Sequence, residues 1–242
     1  MLTELELERY SRQIKLFGED VQRKLKRCRV LIAGVGGLGT VVAMNLAALG
    51  IGKLVLVDHD VVKRSNLNRQ LLYSEDDIGK PKALVAARRL KELNPFIETI
   101  PVPTRIEEYN VSDLVKDVDI VIDALDNWRT RFVLNEACVR KNVPLIHGGV
   151  NGFYGQVLVV VPGRGPCLRC VYPSNPPEPS EVPVTSFVTS LVALIQVVEC
   201  FKILTGVGKP TIGKMIFVNA LEPSIEFVEV RKSPACPTCS RT

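Results

Sequence analysis

Apolar residues along this chain change their period repeatedly, and each change marks an element. Up to residue 27, Leu2, Leu5 and Leu7, then Ile14, Leu16 and Phe17, recur among Glu, Arg and Lys at spacings that predict helix. The unbroken run Arg29-Val-Leu-Ile-Ala33, closed by Gly34, has the pattern of a strand buried on both faces. Alternation then predicts a helix over Leu38–Leu49, a strand over Lys53–Val57, a helix over Lys80–Leu93 and a strand over Ile97–Val102. A short helix over Val111–Lys116, a strand over Val118–Asp123, a helix over Asn127–Lys141 and a strand over Val143–Ile146 continue it. Such units in series imply right-handed crossovers and a doubly wound α/β sheet, mostly parallel, with helices on both faces.

After Gly148 the pattern changes. Phe153–Val161 and Met215–Asn219 read as strands, and Ile225–Arg231 alternates apolar with polar residues, so antiparallel strands extend the same sheet. Between them Pro173-Ser-Asn-Pro-Pro-Glu-Pro-Ser-Glu-Val-Pro183 excludes helix and central strand alike, leaving a surface loop. The apolar stretch Phe187–Leu204 carries Thr189, Ser190, Gln196, Glu199 and Lys202, which predicts a buried helix and not a membrane span.

The composition is that of a globular protein with 242 residues, long enough to bury roughly 70–75% of its unfolded surface without disulfides. Lys and Arg total 31 against 26 Asp and Glu, a net charge of +5. The excess is dispersed and forms no dense basic block, which argues against nucleic-acid binding but favours a small anionic ligand. The first residues, Met1-Leu-Thr-Glu-Leu-Glu-Leu-Glu8, are acidic and precede no apolar core, so a cytoplasmic address is expected. Of seven cysteines, Cys28, Cys138 and Cys200 lie singly in apolar segments and read as small core residues. The other four form Cys167-Leu-Arg-Cys170 and Cys236-Pro-Thr-Cys239. Four thiolates in two short knuckles suit a closed, tetrahedral, structural Zn²⁺ site. A redox dithiol is the rival reading, but neither pair sits in a βαβ setting.

The chemistry concentrates where strands end. Gly34-Val-Gly36-Gly37-Leu-Gly39 lies at a strand-to-helix turn, where backbone amides can approach a phosphate at a helix N-terminus. Asp58 ends the next strand, at the place of an acid that binds ribose hydroxyls. That much is the Rossmann-like signature of an NAD site. The cations change the picture: Ser65-Asn66-Leu-Asn-Arg69-Gln70, Gly79-Lys80-Pro-Lys82 and Asp126-Asn127-Trp-Arg129-Thr-Arg131 all follow strands. Strand carboxyl ends share one crevice, so these residues can meet one ligand. Hydride transfer has little use for several cations and a metal-ready acid around a pyrophosphate, whereas cleavage of a phosphoanhydride does.

Arg9-Tyr-Ser-Arg12-Gln-Ile, the glycine turn, Ser65–Gln70, Lys80-Pro-Lys82 and Asp126-Asn127 occur in an order that resembles the MoeB/ThiF/HesA family, relatives of ubiquitin-activating enzymes. The resemblance runs from Arg9 to Cys239 and includes Gly208-Lys-Pro, Gly213-Lys and the terminal cysteines. It implies one adenylation domain over 1–242, with N-terminal helices at 1–27, a nucleotide-binding half at 28–150 and a sheet extension at 151–242. The extension carries the Pro-rich crossover loop and the zinc site. The implied reaction is ATP-dependent adenylation of the C-terminal glycine of a ubiquitin-like sulfur carrier ending in Gly-Gly, with pyrophosphate released, for molybdopterin- or thiamine-type sulfur transfer.

By that resemblance Gly34, Gly36, Gly37 and Gly39 hold the nucleotide, Asp58 the ribose, and Asn66, Arg69 and Lys82 the phosphates. Asp126 binds Mg²⁺ beside Asn127, and Arg12 completes the site of a homodimer partner. A carboxylate nucleophile is ionised at pH 7 and needs no general base, so neither His59 nor His147 has to be catalytic. Lys80 and Arg129 read as surface charge, and Asp126 could alternatively cap the following helix. Val171–Glu199 holds no cysteine, so the enzyme is expected to stop at the acyl-adenylate. Two other readings stay open: another carboxylate, for example one on a modified tRNA, or an NAD-binding or inactive nucleotide scaffold.

Overall fold

The computed structural model describes residues 1–177 and 181–240, so positions 178–180 of the proline-rich loop lie outside the described residues. The N-terminal helical stretch is three helices, α1 (Glu4–Arg9), α2 (Ser11–Phe17) and α3 (Glu19–Leu25). Tyr10 breaks the first pair, and Gly18, at φ +88°, breaks the second. Thr3 and Glu6 form a reciprocal capping box at the start of α1.

The nucleotide-binding half follows the expected order: β1 (Arg29–Ala33), α4 (Gly37–Leu49), β2 (Lys53–Val57), α5 (Lys82–Leu93), β3 (Glu98–Val102), α6 (Val111–Val115), β4 (Ile120–Asp123) and α7 (Trp128–Lys141). Several ends shift by one or two residues, and two of the shifts have local reasons. Pro81 is extended (ψ 127°), so α5 starts at Lys82 and not Lys80. Asn127 caps α7 through Thr130 N–H (2.9 Å), so the cap is Asn127 and not Asp126. The chain continues as β5 (Leu145–Asn151), β6 (Tyr154–Val160), α8 (Leu168–Val171), α9 (Ser186–Thr205), β7 (Lys214–Asn219) and β8 (Ser224–Glu229). β5 runs five residues beyond its predicted end at Ile146, because each added residue pairs with β6. The four-residue α8 was not predicted; it is the turn of the first cysteine knuckle.

All eight strands lie in one sheet in the order β3-β2-β1-β4-β5-β6-β7-β8. β3 to β5 are parallel, and β6, β7 and β8 add in antiparallel fashion, the mixed doubly wound architecture the sequence implies. Successive residues of β1 and β2 face opposite sides. Val30, Ile32, Leu54 and Leu56 pack with α4, α5 and α9, while Leu31, Ala33, Val55 and Val57 pack with α6 and α7. Both faces are therefore dry, which explains the unbroken apolar runs. The strand order reverses between β1 and β4, and there the loops leaving their carboxyl ends open a crevice.

α9 is long and apolar enough to cross a membrane by length and composition. In the fold it packs on α4, β5 and β6, with Val188, Val192, Ala193, Gln196, Cys200 and Leu204 buried. The reading of a buried helix needs amending, because Phe187, Leu191, Leu194 and Val198 leave an apolar stripe exposed on the other side.

Candidate nucleotide site and thiolate cluster

The glycine turn is built to bring the β1 and β4 loops together. Gly34 has φ +86°, and a Cβ there would stand 2.8 Å from the Ala124 carbonyl oxygen. A Cβ on Gly39 would lie 1.9 Å from the Gly34 carbonyl oxygen, so α4 can start this close to the strand only without one. The N-cap Gly36 offers no side chain, leaving the first amides of α4 for a ligand and its dipole unneutralised. Two buried side chains fix the turn's depth: the Tyr73 hydroxyl donates to Val35 O (2.8 Å), and Asp58 Oδ2 accepts from Val35 N–H (2.8 Å).

Asp58 also accepts from Asp60 N–H (2.8 Å), and each carboxylate oxygen keeps a further lone pair for a ligand hydroxyl. Lys82 lies beside Asp60, two residues past Asp58. It is only 6% exposed, and its Nζ pairs with Asp60 Oδ2 at 3.0 Å. Burial pushes the Asp60 carboxyl up, but the Lys82 hydrogen bond and charge outweigh this and leave it below its usual value. Lys80 is exposed and 3.8 Å from Asp77 Oδ1, the surface role expected of it.

The Ser65–Gln70 segment continues a 3₁₀ turn at Arg64–Asn66 and packs against the glycine turn. Asn66 is buried, with its Oδ1 taking the Lys63 amide (3.0 Å), so it shapes the loop. Arg69 is half-buried and braced on Ser65 O (2.9 Å) and Asn68 Oδ1 (3.0 Å). A Cβ on Gly37 would approach Arg69 Cγ to 3.5 Å and Thr189 Cγ2 to 3.0 Å, so α9 also closes on the turn. Sequence reasoning gave no role to Gln70, Thr189 or Asp60. Gln70 is buried with its Oε1 unpartnered, and its Nε2 lies 3.7 Å from the place of a Gly36 Cβ. Its place in the Ser65–Gln70 motif was the available signal.

Asp126 is exposed on the loop after β4, next to Asn127, whose Nδ2 meets Asp126 Oδ1 at 3.3 Å. Arg129 stands 3.9 Å from Glu107 on the outside. Arg131 behaves differently: it is buried and bonds the carbonyls of Leu125 and Gly148. Arg12 is not brought to the crevice. Its neighbour Gln13 bonds Leu49 O (2.8 Å) at the C-terminal end of α4, about 18 Å of helix away from the glycine turn.

The four paired cysteines converge although the pairs are 65 residues apart in sequence. Their sulfur atoms all lie within 4.8 Å of one another, with Cys167–Cys236 at 3.6 Å and Cys170–Cys239 at 3.4 Å. Tetrahedral Zn²⁺–thiolate bonds of about 2.3 Å place sulfurs about 3.8 Å apart, so the cluster fits a zinc ion and is too wide for disulfides. Cys28, Cys138 and Cys200 are buried elsewhere, as expected of core residues.

Comparison with known proteins agrees with this geometry. The chain is 41% identical to the SAMP-activating enzyme E1 of Haloferax volcanii over 97% of this chain and 89% of that one. It is 40% identical to the sulfur carrier protein adenylyltransferase of Thermus thermophilus over 98% and 92%. The crystal structure of E. coli MccB with ATP superposes with a TM-score of 0.86 at 28% identity, covering 98% of this chain and 75% of that one. The sequence profile of the ThiF family matches residues 10–238, and the chain belongs to that family.

Proposed function

We propose that this protein adenylates the C-terminal glycine of a ubiquitin-like sulfur carrier with ATP. The observation that carries the proposal is the convergence of an uncapped helix N-terminus with a buried lysine, a braced arginine and an exposed acid at one crevice. The family and its adenylyltransferase relatives support the reaction class.

In this reading the amides of Gly36, Gly37 and Gly39 and the α4 dipole receive the phosphates, and Asp58 receives the ribose. Asn66, Arg69 and Lys82 hold the β- and γ-phosphates, Lys82 exchanging Asp60 for phosphate oxygen. An oxygen of the carrier's terminal carboxylate bonds to the α-phosphorus, the bond to the bridging oxygen breaks, and pyrophosphate leaves with that electron pair. Arg69 and Lys82 meet charge that grows on the leaving group, the kind of interaction that lowers a barrier. A Mg²⁺ ion held by Asp126, with Asn127 beside it, would screen charge between the phosphates. The carboxylate is already ionised, so no proton has to move.

Arg12, remote from its own crevice, is assigned to the crevice of a second copy. The exposed stripe on α9 supplies an apolar face for such a homodimer. With the four paired cysteines occupied by zinc, the other three are poor nucleophiles for a later covalent step: burial pushes Cys28 up to about 11 and raises Cys138 and Cys200 further. The test is ATP–pyrophosphate exchange with candidate carriers ending in free Gly-Gly. Exchange should require such a carrier and yield carrier-AMP, with no enzyme conjugate that dithiothreitol releases. Exchange without any carrier, or tighter binding of NAD than of ATP, would sink the reading.

A further inference from the structure

We propose that a one-directional hydrogen-bond chain, Tyr172–Gln156–His147–Asp123, couples the start of the crossover loop to the loop that carries Asp126. His147 and Tyr172 are then positioning residues for the nucleotide site. The inference rests on the reading of Asp126 as the metal-binding acid.

The chain begins at the end of β4. Asp123 is fully buried, and β4–β5 register sets it directly opposite His147. Its Oδ2 lies 2.7 Å from His147 Nδ1, while its Oδ1 takes the Leu125 amide at 3.1 Å and stands 3.8 Å from Arg131 Nε. Arg131 then bonds Leu125 O from the first turn of α7. Residues 124–127 are thus clasped at both ends by one buried ion pair, and Asp126 rides on the clasped segment.

The direction of the chain follows from the imidazole. Burial and the nearby Arg131 charge push the His147 ring down against the pull of Asp123, which keeps it neutral at pH 7. A neutral ring bonded to a carboxylate carries its proton on Nδ1, so Nε2 accepts. Gln156 Nε2 stands 3.2 Å from it, and Gln156 Oε1 in turn accepts from the Tyr172 hydroxyl at 2.9 Å. Every donor meets an acceptor in a single order. Tyr172 lies two residues after Cys170 and one before Pro173, where the crossover loop opens. Its ring also packs on Trp128 at 4.6 Å, and Trp128 is the first residue of α7, next to the cap Asn127. A shift of the loop at Tyr172 therefore reaches the Asp126 segment along two routes.

A buried histidine satisfied on both sides could serve packing alone, and the test has to separate the two. Tyr172→Phe removes one hydroxyl from a half-buried side chain and should leave the fold and its metal content intact. Calorimetric titration of ATP binding at a series of Mg²⁺ concentrations reads the coupling. Tyr172→Phe should raise the half-saturating Mg²⁺ concentration about fivefold, the effect of one lost neutral hydrogen bond, with ATP affinity at saturating Mg²⁺ unchanged. His147→Asn keeps a donor for Asp123 but breaks the link to Gln156. In that background Tyr172→Phe should add nothing, since the chain is already cut. Emission from Trp128, the sole tryptophan, should shift on Mg-ATP addition in the wild type and less in either variant. A Mg²⁺ midpoint unchanged in folded Tyr172→Phe, or additive effects of the two substitutions, overturns the inference. Asp126→Asn separates the layers. If it abolishes the Mg²⁺ dependence while Tyr172→Phe is silent, the coupling alone falls. If Asp126→Asn has no effect, the site reading falls and the coupling with it.

Discussion

His147 shows how much a single buried side chain can reveal at the residue scale. Its ring is closed in by the Asp123 carboxylate, the Arg131 guanidinium, the Gln156 amide and the Trp128 ring, and its pKa is pushed below 6.5, first by burial and then by Arg131. Below about pH 6.5 the unfolded chain takes up a proton here that the folded chain refuses. Stability therefore falls as the pH drops through that window, and above it this group adds no pH dependence. In urea unfolding between pH 7.5 and 5, His147→Gln should lose stability less steeply than the wild type; equal slopes would contradict this. The sequence offered His147 only as a residue with no necessary catalytic task. Nothing in its immediate neighbours marks it, because its partners come from β4, β6 and α7.

At the scale of elements, the thiolate cluster is the clearest case of a long spacer closed by tertiary structure. α8 holds Cys170 against α7, and the C-terminal knuckle returns to it, with Cys167, Cys236 and Cys239 buried. Closing this loop costs little extra chain entropy once the sheet has formed, since the penalty grows only with the logarithm of loop length. Elemental analysis of protein purified without added metal should give about one Zn²⁺ per chain. Cys170→Ser should lose the metal and destabilise the fold by about 4 kcal/mol or more, with ATP affinity changed far less. Full reactivity of all four thiols in the unmodified protein would refute the site. The Cys-x-x-Cys spacings announced this element, but α8 itself was illegible: four residues are too few to carry a period.

For the whole molecule, the open questions concern the second copy. Arg12 and the α9 stripe Phe187, Leu191, Leu194 and Val198 are exposed, Phe187 stacks on Phe153, and Arg12 has no ion-pair partner among the described residues. Mixing Arg12→Ala chains with Asp126→Ala chains should regenerate one complete site per mixed dimer. Random exchange would then restore about a quarter of wild-type activity. No recovery after demonstrated subunit exchange would count against a shared site. The doubly wound half was readable because each βα unit is local: period, turn glycines and strand ends all lie within a few dozen residues. The antiparallel strands β6, β7 and β8 were readable to within two residues, whereas the end of β5 was missed, since its length depends on how far β6 lies alongside it.

The order of elements, the two cysteine knuckles and the loops that carry the glycine turn, Asp58, Arg69, Lys82 and Asp126 can all be read from local pattern. Each is a local statement, because strand carboxyl ends fall on one edge of a parallel sheet whatever the details of packing. Which charges are buried, and what they face, is set by packing between distant segments. Arg131 turned inward and Arg129 outward two residues apart on one helix, and Arg12 went to the far end of α4. The Asp123–His147 contact joins residues 24 positions apart through strand register. Hydrophobic periodicity selects the face a residue occupies, but register and packing choose its partner, and those depend on chain segments that no local pattern contains.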